Sequence, residues 1–131
     1  MKAEREVEIK NSLKMCVDFK NDDLDQYFQD LRQKGIDLAS SINLQELAST
    51  FNVLGNKLRI SVLKLLCERD YCVCELEAIL DKSQSSISHH LKLLEKAELI
   101  RGIKRGYFTH YELKDSKTKH FINLILKQTH Q

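Results

Sequence analysis

Apolar positions recur at helical spacing over most of the chain, and the breaks between them divide it into segments. Leu24, Tyr27, Phe28 and Leu31 predict an amphipathic helix, with Asn21 or Asp22 as its cap and Gly35 near its end. Leu44, Leu47, Ala48, Phe51 and Leu54 predict a second over residues 42–54, stopped by Gly55. Asn56 caps a third, with Leu58, Val62, Leu65 and Leu66 inward. A short helix opens at Cys74, with Leu76, Ile79 and Leu80 inward, and the turn Asp81-Lys82-Ser83 follows it. Ser83 then caps a helix from Gln84 to about Glu98, whose stripe is Ile87, Leu91 and Leu94. Helix, tight turn and helix form the helix-turn-helix unit, whose second helix can enter a major groove.

Beyond it the period changes to that of strands. Residues 100–103 and 107–113 predict a hairpin with Lys104, Arg105 and Gly106 as its turn, that is, a wing. A last helix from about Asp115 to Thr129 shows Phe121, Ile122, Leu124, Ile125 and Leu126, an apolar surface too wide for one small domain to cover. Residues 1–21 interleave acids and bases and predict an exposed helix or mobile arm. The expected organisation is therefore this arm followed by a domain over residues 22–131. The fold class is mainly α with a small β-hairpin, a winged helix-turn-helix dimerising through helices at both ends.

Composition adds direction. Residues 82–131 carry 10 basic and 4 acidic groups, whereas residues 1–37 carry 7 and 9, and residues 38–81 carry 4 and 6. A basic half beside an acidic half suits a polyanion partner. No apolar run approaches the ~18 residues of a membrane span, and the charged N-terminus lacks a signal-peptide core, so a cytoplasmic protein without a membrane partner is expected. Four cysteines (Cys16, Cys67, Cys72, Cys74) then read as buried thiols, metal ligands or redox switches rather than a disulfide framework. No phosphate-binding glycine loop, metalloprotease or nucleophile-elbow motif is present, and an enzyme is not expected.

With its stripe turned inward, the second helix of the unit presents Gln84, Ser85, Ser88, His89 and Lys92 outward. Glutamine can pair with adenine, serine with several base edges, and lysine with guanine or phosphate. Ser86 is expected on the DNA backbone, and Lys104 and Arg105 on phosphates or the minor groove. His90, about 100° round from His89, turns toward the core, and adjacent helical histidines cannot chelate one ion. Cys67, among leucines, reads as a small buried hydrophobe.

The run S-Q-S-S-I-S-H-H-L-K-L-L, the K-R-G wing and the following Y-E-L resemble the ArsR/SmtB family of winged-helix repressors over roughly residues 43–129. C-V-C-E-L resembles the cysteine motif of its arsenic- and cadmium/lead-sensing branches. The resemblance implies a homodimer that binds a palindromic double-stranded operator and releases it on binding metal or metalloid.

Two cysteines two residues apart diverge by about 160° inside a helix, but an extended Cys72 with Cys74 opening the helix puts both on one side. The arsenic branch has a third cysteine where this chain has Glu77, whereas the cadmium/lead branch takes an extra thiolate from an N-terminal arm, for which Cys16 is the candidate. Cys16, Cys72 and Cys74 would suit As(III), Sb(III) or Pb(II), and Cd(II) would need a fourth donor. Thiol oxidation of Cys72 or Cys74 is the alternative reading. A second family site on the last helix matches at Asp115, but Lys117, Gln128 and Gln131 fill its other positions, so no zinc site is expected there.

Overall fold

The computed structural model describes residues 1–16, 23–41 and 43–128, with the backbone alone at residue 128. The chain divides into two compact units, Met1–Leu44 and Gln45–Gln131.

In the first unit, α1 (Ala3–Cys16) packs against α2 (Leu24–Ser41). The first of the two readings of the N-terminal segment, a helix, is the one observed for residues 3–16; the expected cap at Asn21 or Asp22 lies outside the described residues. Phe28 is buried beneath the Lys10 ammonium, 5.2 Å from its ring centroid. Lys10 also pairs with Glu6 at 3.0 Å and Asp25 at 2.7 Å. The helix α2 runs through Gly35 instead of ending there. Glycine costs about 1 kcal/mol relative to alanine in a helix. A hydrogen bond from Gln33 to the Asp37 carboxylate at 2.8 Å spans the glycine, and the Ser40 hydroxyl donates to the Asp37 carbonyl at 3.1 Å in the turn after it.

The second unit follows the order α3 (Leu44–Leu54), α4 (Lys57–Glu68), β1 (Tyr71–Cys72), α5 (Val73–Leu80), α6 (Gln84–Lys96), β2 (Ile100–Arg105), β3 (Phe108–Leu113) and α7 (Ser116–Gln128). Local chemistry sets the boundaries. Asn56 accepts the Arg59 N–H at 3.1 Å to start α4, and Ser83 accepts the Ser86 N–H at 3.2 Å to start α6. Asp81 ends α5 in the left-handed region, φ 52°, where aspartate is tolerated better than most residues. Helix-turn-helix is thus formed by α5 and α6.

Ile87, Leu91 and Leu94 of α6 are all buried, as their spacing predicts. They join Val62, Leu63 and Leu66 of α4, Leu76 of α5, and Leu99, Ile100, Leu113 and Ile122 from the wing and α7. Two inward assignments need correction. Leu63 lies in the core while Leu65 is only half-buried, a rotation of the α4 face set by which side meets α6 and α7. Ile79 is exposed because α5 contacts its neighbours mainly through Leu76 and Leu80.

The wing is a three-stranded antiparallel sheet in the order β1-β3-β2. Tyr71 and Cys72 face Tyr111 and His110 respectively. A two-residue strand carries no alternation to be read, so β1 is invisible in the sequence. Lys104 and Arg105 belong to the end of β2, and the turn is Gly106-Tyr107, with Gly106 at φ 68°. Gly102 faces Tyr111, and a Cβ there would stand 2.9 Å from Thr109 Cγ2 and 3.2 Å from Tyr111 Cε1.

A polar clamp fixes α6 against α4 and the end of α3. Arg59 donates from Nε to the Val53 carbonyl at 2.6 Å and from Nη1 to His90 Nδ1 at 3.2 Å. Arginine has only donors, so Nδ1 accepts and neutral His90 carries its proton on Nε2. Burial, then the Arg59 and His89 charges, hold the His90 pKa below the ordinary histidine value.

Two stability predictions follow from this core and clamp. Leu91→Ala is expected to cost about 2–5 kcal/mol of unfolding free energy, measured by urea denaturation. His90 resists protonation in the folded chain, so its contribution is complete above about pH 6.5 and is lost as the pH falls through the lower folded value. Denaturation midpoints should therefore fall more steeply between pH 7.5 and 5 in the wild type than in His90→Gln, with parallel curves as the contrary result.

Candidate nucleic-acid interface and thiol site

Burial of one side of α6 leaves the other side polar. Gln84, Ser85, Ser88, His89 and Lys92 are exposed and span about 140° of the helix circumference. Ser86 is half-buried at the edge of this arc, and its N–H is taken by the Ser83 cap. Ser85 is within 3.2 Å of the Ser83 hydroxyl, so the start of the helix is ordered by its own serines. Beside it lies a polar depression lined by Asn56, Lys57, Ser61, Lys82, Ser86 and His90. Lys57 and Lys82 were not singled out in the sequence, because neither lies on α6 or the wing.

The wing extends the exposed surface. Lys104 is exposed and makes no ion pair among the described residues, whereas Arg105 is held by Asp70 at 3.0 Å. Tyr107 occupies the turn with its side chain fully exposed, 101% of the reference area. Sequence reading had assigned it to a strand. An aromatic beside a glycine at a hairpin turn was the available signal.

The thiols fall into three settings. Cys67 is half-buried against the core, and burial pushes its pKa up, which is the behaviour of a packing residue. Cys16 ends α1 in the first unit and is exposed. Cys72 and Cys74 lie together at the start of α5. Cys72 is the N-cap in extended conformation (φ −87°, ψ 168°), and Cys74 is the second residue of the helix and exposed. Cys72 is extended as expected, but the helix begins at Val73, one residue before the start expected at Cys74.

Glu75 is committed to structure beside them. Its carboxylate accepts the Cys72 N–H at 3.1 Å and pairs with Arg69. The Cys72 N–H is the largest influence holding the carboxyl below its usual range. Two thiols supply soft donors for a thiophilic ion but do not close a coordination shell. Among the described residues, no three His, Cys, Asp or Glu side chains stand where they could hold one metal ion. On α7, Asp115 acts as a helix cap, accepting the Thr118 N–H at 2.7 Å and hydroxyl at 2.8 Å, which lowers its pKa. Of the other positions weighed with it, Lys117 is exposed in α7, and the Gln128 side chain and Gln131 lie outside the described residues.

No helix among the described residues is long and apolar enough to cross a membrane. The family model for bacterial regulatory proteins of the arsR family matches residues 56–101, from the α4 cap into the wing. A helix-turn-helix-type transcriptional regulator of Methanocaldococcus jannaschii is 37% identical over 62% of this chain and 92% of its own length. The arsenical resistance operon repressor of Bacillus subtilis is 34% identical over 63% of this chain and 79% of its own. Among solved structures, reduced HlyU from Vibrio cholerae superposes with a TM-score of 0.61 at 27% identity, covering 68% of this chain and 94% of that one. These relatives are transcriptional regulators rather than enzymes. The chain belongs to the ArsR/SmtB family of winged-helix, DNA-binding transcriptional regulators.

Proposed function

We propose that this regulator is a homodimeric repressor that binds a palindromic operator and releases it when a thiophilic metal or metalloid binds Cys72 and Cys74. Arsenite is the first candidate inducer, with Pb(II) or Cd(II) as alternatives. The observation that carries the reading is the placement of the thiol pair. Cys72 is paired through β1 to the wing strand β3, and Cys74 lies in the first turn of α5, the helix that precedes α6. An ion drawing the two sulfurs together acts on both parts of the DNA surface at once, and couplings of this kind are typically about 1–3 kcal/mol. The name of the Bacillus subtilis relative supports an arsenical as inducer. Cys16 is the proposed third sulfur.

The dimer is supported by exposed apolar surface among the described residues. Phe51 and Ile60 are exposed, as are Phe121, Leu124 and Ile125 of α7. Phe51, Ile60 and Ile125 line a groove with Leu63, Ile122 and Leu126. A second copy covering this groove would place two α6 helices on successive half-sites.

On DNA, Gln84, Ser85, Ser88, His89 and Lys92 are assigned to the major groove, and Ser86, Lys104 and Arg105 to the backbone or minor groove. Lys57, Lys82 and Tyr107 are added as backbone contacts on their position beside α6 and at the wing turn.

Titrating operator-bound protein with arsenite, Pb(II) and Cd(II) tests the sensor. Release by at least one ion in the wild type, abolished in Cys72→Ser/Cys74→Ser, is expected; no release, or an equal response, defeats it. Release by peroxide with no response to any ion would assign the pair to redox sensing. For the DNA surface, Gln84→Ala should alter preference among operator variants, whereas Lys92→Ala should also lower affinity for random DNA. A uniform loss for Gln84→Ala would remove it from base readout.

A further inference from the structure

The outer face of the wing sheet carries a cluster that neither base reading nor ion binding uses. Strand register puts Cys72 opposite His110, and His110 opposite Ile103, so alternation places Arg105 on the same face as His110. Asp70, two residues before Cys72, reaches this face from the start of β1. One oxygen, Asp70 Oδ2, accepts from Arg105 Nη1 at 3.0 Å and from His110 Nδ1 at 3.0 Å. The Asp70 and His110 side chains are about three-quarters covered (28% and 26% exposed), while Arg105 is 55% exposed. The arginine is thus the exposed member of an otherwise covered group. Lys104, its neighbour in β2, projects to the other face and has no such partner among the described residues.

We propose that Asp70 is a clasp that withholds the wing arginine Arg105 from DNA in the free protein and competes with a backbone phosphate for it. The proposal deepens the preceding section and rests on its assignment of the wing to DNA. An ion pair this exposed is weakly held, so a duplex with its dense phosphate charge can draw the guanidinium away. The exchange leaves Asp70 without its cation. In salt terms, the counterion that Arg105 displaces from phosphate is balanced by one gathered at the bared carboxylate. The clasp also ties wing charge to the cysteine segment, since Asp70 and Cys72 flank a single residue.

The experiment measures operator affinity against salt concentration in metal-free, reduced protein for wild type, Asp70→Asn, Arg105→Ala, the double variant and Lys104→Ala. Asp70→Asn is expected to tighten binding several-fold at about 0.1 M salt and to steepen the logarithmic salt slope by about 0.9, the contribution of one phosphate contact. Both effects should vanish in the Arg105→Ala background. The proposal is overturned if Asp70→Asn binds like the wild type or more weakly. It is equally overturned if the gain persists without Arg105, because then only general charge repulsion was removed. If neither Lys104→Ala nor Arg105→Ala in the Asp70→Asn background changes the slope relative to its parent, the assignment of the wing to DNA fails, and the clasp with it. Sensing by the thiols is untouched by every arm, as no ion or oxidant is present. Asp70→Ser, which leaves His110 an acceptor but Arg105 no charge, gives the same reading if asparagine disturbs β1.

Discussion

The polar surface of α6 and the wing depends on the packing of Ile87, Leu91 and Leu94 against α4 and α5. Three apolar residues on one side of α6 leave the helix a single way to sit on the core. Its polar arc then has to face solvent, and a wing that begins four residues after the helix ends has to stand beside it. Hydrophobic burial is non-directional in itself, but here the 3.6-residue period converts it into an orientation.

Polar contacts refine that orientation. The Arg59 clamp joins the carbonyl of Val53 to His90, so three helices share one guanidinium. The Ser83 cap arranges the start of α6 where base-facing side chains begin. None of these groups is a fully buried charge, and no buried side-chain polar atom among the described residues lacks a hydrogen-bond partner. Such a set suits a regulator, whose alternative states must lie within a few kcal/mol of one another.

The thiol segment occupies the junction of these systems. Cys72 ends a strand paired to the wing and caps a helix of the helix-turn-helix unit, while Glu75 secures its backbone N–H. Any chemistry at the two sulfurs therefore acts on backbone that both neighbours share. Cys67, five residues earlier in the chain, has no comparable position because its thiol faces the core.

The sequence by itself determined the helix-turn-helix unit, the buried stripe, the Asn56 and Ser83 caps, the glycine at the wing turn and the family. Each is local, or repeats at a fixed period, so neighbouring residues suffice to reveal it. The passage of α2 through Gly35, the rotation of the α4 face and the exposure of Ile79 depend on contacts that period alone does not specify. Only the tertiary structure decided that Cys72 pairs with β3 and that Asp70 holds an arginine 35 residues away. Two-residue strands and long-range ion pairs leave no periodic trace, because what defines them is proximity after the core has formed.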